Sequence, residues 1–293
     1  MEIVKAKVFG FCFGVRRAVE VIETELDKNS SLCTLGAIVH NNHVVEALAS
    51  KGAKLVQSLD EVPPGGAVAI TAHGAGEEVY EDIRGRGLRL IDTTCSIVRR
   101  AQQTAAALVN DGFFVVLYGE AEHPEVKGIL SWTRGQGVAT QTSKIDVPPG
   151  VKGIAVIAQT TENPKLFAEF AQQITKEQTG KVPEIRIIDT TCPETGRRYQ
   201  AARELAQQVD SLIVVGSRSS ANTRKLTETC RETGIPTYHI ESAAEIEEAW
   251  LAGVNRFGVT AGASTPDDVI AEVVLRLRTP KGERTTKEGM EIV

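Results

Sequence analysis

Three cysteines, Cys12, Cys95 and Cys192, recur in one local context, and this recurrence is the first chemical signal in the chain. They stand in Gly10-Phe-Cys12-Phe-Gly-Val-Arg16-Arg17, Asp92-Thr-Thr-Cys95-Ser-Ile-Val-Arg99-Arg100 and Asp189-Thr-Thr-Cys192-Pro-Glu-Thr-Gly-Arg197-Arg198. Each precedes an Arg-Arg pair and a helical pattern. The chain has 5 cysteines, an odd number at wide spacings. In a reducing compartment such residues serve as buried apolar groups, nucleophiles or metal ligands. A lone cysteine is most often a small buried hydrophobe. That reading is kept for Cys33, at a strand start, and Cys230, within a helix. The shared context shifts the other three towards ligation.

A second set of reactive residue types follows short apolar runs. His40 and Asn41, His73, His123 and Glu125, Thr160 and Thr161, Ser220 and Asn222, and Ser264 all stand in such loops. Imidazoles, hydroxyls and amides bind anions, and a carboxyl group carries protons. Blander readings accompany some of them. Glu125 suits the first turn of a helix for its dipole alone. His43 reads as a solvent-facing helical residue and His239 as a strand residue without chemistry. The Arg-Arg pairs suit domain contacts, partner acids or an enclosed anionic group, and the sequence leaves that choice open.

The elements that position these residues are α/β in type. Val15, Ala18, Val19, Ile22 and Leu26 form one helical stripe after Cys12. Similar stripes follow Cys95 and Cys192. After each cysteine helix come two Val- and Ile-rich runs, each ending in a polar loop, the pattern of βαβ units with buried parallel strands. Pro124, Pro164 and Pro266 mark helix starts, where free N–H groups hold anions. The expectation is three pseudo-symmetric α/β domains with parallel sheets, in a trefoil around a central cavity. They cover residues 1–94 including an N-terminal strand, 95–191 and 192–278, with a polar tail over 279–293. The Pro-Pro-Gly stretches ending at Gly66 and Gly150 read as turns feeding strands within a domain.

Composition narrows the function. Of 293 residues, 42% are hydrophobic and 24% charged, an ordinary globular balance. The net charge is -5 with no Lys/Arg cluster, which argues against nucleic acid or an anionic membrane surface as partner. No apolar run has the length of a membrane span. The N-terminus alternates like a strand and lacks a signal-peptide core. A cytoplasmic protein is expected.

In open parallel sheets, ligands gather beyond the carboxyl ends of the strands. If the three domains face one another, the loops and the three cysteines converge. Three thiolates with no fourth partner suit a [4Fe–4S] cluster with one iron left open, and the surrounding donors suit a diphosphate. One rival reading is a zinc protein, with the three cysteines and one histidine as ligands, acting on a phosphorylated metabolite. Another is a metal-free phosphometabolite-binding protein. Paired zinc-type cysteines, a phosphate-binding P-loop and a dinucleotide fingerprint are all missing from the sequence.

With these residues in view, the sequence closely resembles the 4-hydroxy-3-methylbut-2-enyl diphosphate reductases, the LytB or IspH family. The resemblance runs to about residue 278 through Gly10-Phe-Cys12-x-Gly14-Val15-x-Arg17-Ala18, Val39-His40-Asn41, Ala72-His73-Gly74, Asp92-x-Thr94-Cys95, His123-Pro124-Glu125, Gln159-Thr160-Thr161, Val215-Gly216-Ser217 and Val259-Thr260-Ala261-Gly262-Ala263-Ser264. It implies a cluster on Cys12, Cys95 and Cys192 and the last step of an isoprenoid route. It assigns diphosphate binding to His40, His73, His123, Ser220, Asn222 and Ser264, proton delivery to Glu125, and positioning of the substrate hydroxyl to Thr160. Thr195 matches a family position near the substrate. The implied partner is an external electron donor, ferredoxin or flavodoxin. Departures are Ser96 in place of a frequent Pro, Glu194 and Tyr199 in place of Ala and Gln, and Gly76 and Ala221 each in place of Ser. Ala221 loses a phosphate donor but keeps its backbone N–H.

Overall fold

The computed structural model describes residues 1–29 and 31–279. The expected polar tail, apart from Thr279, lies outside the described residues.

Three rounds of the same element order account for the chain. The first round is α1 (Phe13–Asn29), β2 (Leu32–Leu35), α2 (Asn42–Ser50), β3 (Ala53–Val56), β4 (Ala67–Ile70), α3 (Glu77–Gly85) and β5 (Arg89–Asp92). The second is α4 (Ser96–Asn110), β6 (Phe113–Tyr118), α5 (Pro124–Ser131), β7 (Gly137–Thr140), β8 (Gly153–Ala158), α6 (Pro164–Gln178) and β9 (Ile185–Ile187). The third is α7 (Pro193–Ala206), β10 (Ser211–Val215), α8 (Ala221–Arg231), β11 (Thr237–Ile240), β12 (Arg256–Ala261) and α9 (Asp267–Arg278). One strand, β1 (Glu2–Lys5), precedes them all.

The strands form three four-stranded sheets of order β3-β2-β4-β5, β7-β6-β8-β9 and β11-β10-β12-β1. Every pairing is parallel. In each, the strand after the cysteine helix is central, flanked by the next two, and a fourth strand closes one edge. This corrects the assignment of the N-terminal strand to the first domain. β1 pairs with β12, Ile3 opposite Phe257 and Lys5 opposite Val259. It occupies the edge that β5 and β9 occupy in their own sheets, so the third repeat is completed by the start of the chain. Each chemical cysteine therefore follows a fourth strand: Cys12 after β1, Cys95 after β5 and Cys192 after β9.

The chain divides into two compact units, Met1–Gly10 with Tyr199 onward, and Phe11–Arg198. The first holds the β1-containing sheet. The second holds the other two sheets, and the boundaries expected at 95 and 192 both fall inside it. Each sheet has an apolar cluster on either face, as parallel sheets require. In the sheet centred on β2, Ala18, Ile22 and Leu26 of α1 and Val44 and Leu48 of α2 cover one face, and Ile83 of α3 the other. The central strands β6 and β8 are buried along their whole length. The turns ending at Gly66 and Gly150 do feed β4 and β8 within a sheet. Pro124 and Pro164 open α5 and α6 as expected, whereas Pro266 is the cap before α9 rather than its first residue.

Candidate functional site

The two Asp-Thr-Thr-Cys segments fold identically, and their chemistry explains why. Asp92 Oδ1 accepts from the N–H of Thr94 at 3.0 Å and from its hydroxyl at 2.5 Å. Asp189 Oδ1 accepts from the N–H of Thr191 at 2.8 Å and its hydroxyl at 2.6 Å. This side-chain turn ends the strand and hands the chain to a helix. The hydroxyls of Thr93 and Thr190 bond back to the carbonyls of Ile70 and Ala158. Pairing then continues one step past the strands. The N–H of Cys95 donates to the Ala72 carbonyl at 3.1 Å, and that of Cys192 to the Thr160 carbonyl at 2.8 Å. Cys95 is thus tied beside His73, and Cys192 to Thr160 itself.

All three cysteines belong to the Phe11–Arg198 unit, and they sense one another electrostatically: Cys12 with Cys192, Cys95 with Cys12, and Cys192 with Cys95. Burial pushes each thiol up, and two backbone N–H groups at the following helix start pull each back. These are Val15 and Gly14 at Cys12, Ile97 and Val98 at Cys95, and Glu194 and Thr195 at Cys192. Gly14 presses against Cys95 so closely that a Cβ there would come within 2.6 Å of the sulfur. Three thiols, each supplied with two N–H donors around a contact only glycine permits, fit an iron–sulfur cluster. Such donors to ligating sulfurs tune a cluster's potential. Among the described residues, no three His, Cys, Asp or Glu side chains meet in the geometry of a single metal ion. Cys33 and Cys230 are buried apart in β2 and α8, as read, with the Cys230 thiol pushed up to about 12 by burial.

In the same unit His40, His73 and His123, from the loops after β2, β4 and β6, form a triangle. Their ring centroids lie 4.4, 5.6 and 5.7 Å apart. His73 retains some exposure, yet its enclosure and the two neighbouring imidazoles hold its pKa well below the ordinary value. His123 caps α5, its Nδ1 accepting from the Glu125 N–H at 3.1 Å. In its neutral form the proton therefore sits on Nε2, free of the cap. A cleft of about 260 Å³ borders this triangle, lined by His40, His73, Gly74, Gly76, Pro124 and Lys127 among others.

Glu125 is only 1% exposed, far from the solvated first-turn acid of the blander reading. Thr160 donates to both its oxygens, N–H to Oε1 at 2.6 Å and hydroxyl to Oε2 at 3.0 Å. Gln159 fixes the approach, its Oε1 accepting from Glu120 N–H and its Nε2 donating to Thr161. Thr195 is buried, its N–H donating to the Cys192 carbonyl.

The other unit assembles its own polar cluster. Ser220 caps α8 by accepting from the Thr223 N–H, and Ala221 and Asn222 are the first residues of that helix. Asn222 Oδ1 accepts from the Ala263 N–H at 3.3 Å, beside Ser264. Ser220, Ala221, Asn222 and Ser264 are all buried.

The Arg-Arg pairs divide. Arg99 pairs with Asp92 and donates to the Tyr80 hydroxyl, Arg197 pairs with Glu194, and Arg17 reaches the Thr94 carbonyl. Arg198 is 2% exposed and draws the Cys12 thiol down. Sequence reasoning missed Gln102. It is fully buried on α4, donates to the Ala75 carbonyl at 3.1 Å and packs on Gly74, beside His73. Only its odd place on an apolar helix face could have signalled it.

A family model described as LytB protein matches residues 3–278. A protein of Dehalococcoides mccartyi named 4-hydroxy-3-methylbut-2-enyl diphosphate reductase is 43% identical over 275 residues, 93% of this chain and 96% of its own. One of the same name from Geobacter sulfurreducens is 41% identical over 282 residues, 95% and 97%. A solved structure of (E)-4-hydroxy-3-methyl-but-2-enyl diphosphate reductase, described as the terminal enzyme of the non-mevalonate pathway, superposes with TM-score 0.71 at 36% identity, covering 95% of this chain and 99% of that one. The E-1-hydroxy-2-methyl-but-2-enyl-4-diphosphate reductase of Plasmodium falciparum superposes with TM-score 0.86 at 26% identity, covering 95% and 88%.

Proposed function

This chain belongs to the LytB protein family, and from that premise we propose that it is a 4-hydroxy-3-methylbut-2-enyl diphosphate reductase, the terminal oxidoreductase of the non-mevalonate isoprenoid route. One substrate, two electrons and two protons yield isopentenyl or dimethylallyl diphosphate and one water. The observation that carries the reading is the gathering of Cys12, Cys95 and Cys192, the triangle of His40, His73 and His123, and the Glu125–Thr160 pair in one unit.

Cys12, Cys95 and Cys192 are the residues to hold a [4Fe–4S] cluster. When bound, the cluster supplies the electrons and a Lewis-acidic iron without a protein ligand. The chain's own residues do the rest. His40, His73 and His123 bind phosphate oxygens, His123 through its Nε2–H. Glu125 gives one proton to the departing hydroxyl oxygen, which leaves as water. Thr160 holds both Glu125 and that hydroxyl through its own hydroxyl. The second proton goes to carbon at either end of the allylic unit, which accounts for two products. Thr195 lies at the third cysteine, where it borders the substrate. For Ser220, Asn222, Ser264 and the Ala221 N–H a part in diphosphate binding is proposed from their motif positions and donor types. The electrons come from an external single-electron carrier of the ferredoxin or flavodoxin kind, in a reducing cytoplasm. No described helix is long and apolar enough to cross a membrane.

Anaerobic purification with iron and sulfide analysis, and a diphosphate turnover assay driven by reduced methyl viologen, test this reading. Brown protein losing iron on Cys→Ser change at 12, 95 or 192, but not at 33 or 230, is the expected result. Colourless protein with stoichiometric zinc, or cluster-loaded protein inert towards the substrate, would overturn it.

A further inference from the structure

One backbone carbonyl, that of Ala75, fastens together the elements that carry the histidines and Cys95. Gln102 Nε2 of α4 donates to it at 3.1 Å, and Trp132 Nε1, at the end of α5, donates to it at 3.2 Å. α4 begins after Cys95 and α5 at His123. Ala75 itself stands two residues after His73, in the loop that follows β4. α4 also holds the near end of that loop, since the Cys95 N–H donates to the Ala72 carbonyl at 3.1 Å. His73 and Gly74 are thus suspended between two anchors on one helix. The fit is close. Gly74 has a φ of +75°, and a Cβ there would come within 2.5 Å of Gln102 Nε2. Gly128 of α5 faces the same carbonyl and the same amide. His73, Gly74, Ala75 and Gly128 all line the cleft beside the imidazole triangle.

Packing alone does not account for Gln102. It is fully buried in the helix face of Val98, Ala101, Ala105 and Leu108, where an apolar side chain would fill the space. A carbonyl can only accept, so Nε2 must face Ala75 and Oε1 must point elsewhere. Among the described residues Oε1 meets no donor. An orphaned buried acceptor costs at least as much as one hydrogen bond returns. The amide therefore makes the fold no more stable than a methionine would. What it supplies is direction: with Trp132, it fixes where the backbone of the His73 loop lies. We propose that Gln102 is a positioning residue for anion binding, its amide setting that loop so that His73 stands in register with His40 and His123. The proposal rests on the reading of the triangle as the diphosphate site and deepens it. Imidazoles on three separate loops grip one anion together only while the loops keep their spacing. The His73 ring centroid lies 4.4 Å from that of His40 and 5.7 Å from that of His123. A displacement of about 1 Å at such a site is enough to lose an order of magnitude or more in function.

Two variants test this on anaerobic, cluster-loaded protein. Gln102→Met keeps the length of the side chain and drops both polar ends. Trp132→Phe removes the indole N–H and keeps an aromatic ring. Titration calorimetry with inorganic diphosphate should show affinity about tenfold weaker for Gln102→Met, the low end for a hydrogen bond to a charged group, and several-fold weaker for Trp132→Phe. In turnover driven by reduced methyl viologen, KM should rise by like factors with kcat within about twofold of wild type, the pattern of binding lost equally from ground and transition states. Gln102→Met should meanwhile hold wild-type iron and unfold at the same or a higher denaturant concentration. A packing role would give the reverse, an earlier unfolding midpoint with unchanged diphosphate affinity. That result, or a fall in kcat with KM and affinity unchanged, overturns the proposal. If Gln102→Met does not fold, Trp132→Phe decides, and unchanged diphosphate affinity there overturns the proposal too. Wild-type protein that binds no diphosphate refutes the reading of the triangle itself, and this role falls with it.

Discussion

Thr160 grips Glu125 at both oxygens, N–H to Oε1 at 2.6 Å and hydroxyl to Oε2 at 3.0 Å. A glutamine can keep both contacts, its carbonyl accepting from the N–H and its amide donating to the hydroxyl oxygen. Glu125→Gln should therefore fold, hold iron and bind substrate like wild type. It lacks only a transferable proton, so kcat should fall at least ~100-fold with KM little changed. Near-normal turnover, measured anaerobically, would remove Glu125 from proton delivery.

Gly14 and Cys95 are in contact that no larger residue tolerates. With its Cβ 2.6 Å from the Cys95 sulfur, Gly14→Ala must displace one helix start from the other. The expected cost is about 1–3 kcal/mol of stability, as for an overpacked core, together with a fall in iron bound per chain. Denaturant unfolding of the metal-free protein and iron analysis read the two effects separately. Wild-type values in both would show that the contact relaxes freely.

The His73 imidazole, held well below its ordinary pKa by its enclosure and by His40 and His123, sets a pH dependence. The folded chain resists protonating this group, whereas the unfolded chain takes the proton near pH ~6.5. The unfolded state thus binds more protons below that value, and ligand-free stability should decline as pH falls through it. His73→Gln should remove that part of the slope in denaturant titrations from pH 8 to pH 5. Bound inorganic diphosphate supplies the missing negative charge, so its affinity should rise as pH falls over the same range. A flat affinity profile would remove the triangle from anion binding.

Ser131 does at α3 what residue 76 does not. Gly76, the residue before that helix, has no side chain to cap it, and the Ser131 hydroxyl accepts from the Glu77 N–H at 2.9 Å and donates to Glu78. A Cβ at position 76 would lie 2.6 Å from that hydroxyl oxygen. Ser131→Ala should cost about 1 kcal/mol, the usual worth of a lost cap. Gly76→Ser alone should also destabilise, by crowding, while the double variant should recover part of both losses. Additive losses in the double variant would show that the two positions do not share the cap.

Local rules carried most of the inner architecture. Branched apolar runs specified the central strands β2, β4, β6, β8, β10 and β12, because a strand buried on both faces needs apolar residues throughout. Stripes of period 3.6 specified the helices after each cysteine. β3, β5, β7 and β9 were not legible, since an edge strand is half-exposed and short and its residues follow no strong pattern. The destination of β1 was illegible for another reason: its alternation marked a strand, but nothing local says which sheet it joins.

The site divides in the same way. Residue types and repeated context alone determined that Cys12, Cys95 and Cys192 form a set distinct from Cys33 and Cys230, and that the histidines and Glu125 stand in loops. Tertiary structure decided that Glu125 is buried in Thr160's grip, that three imidazoles form a triangle, and that Gly14 lies against Cys95. It also decided that the Arg-Arg pairs serve different partners. The physical reason is one of range. Strand, helix and turn preferences act over a few residues and are written in neighbouring side chains. A contact between residues dozens of positions apart depends on which strands pair and how helices pack, and only the folded chain settles that.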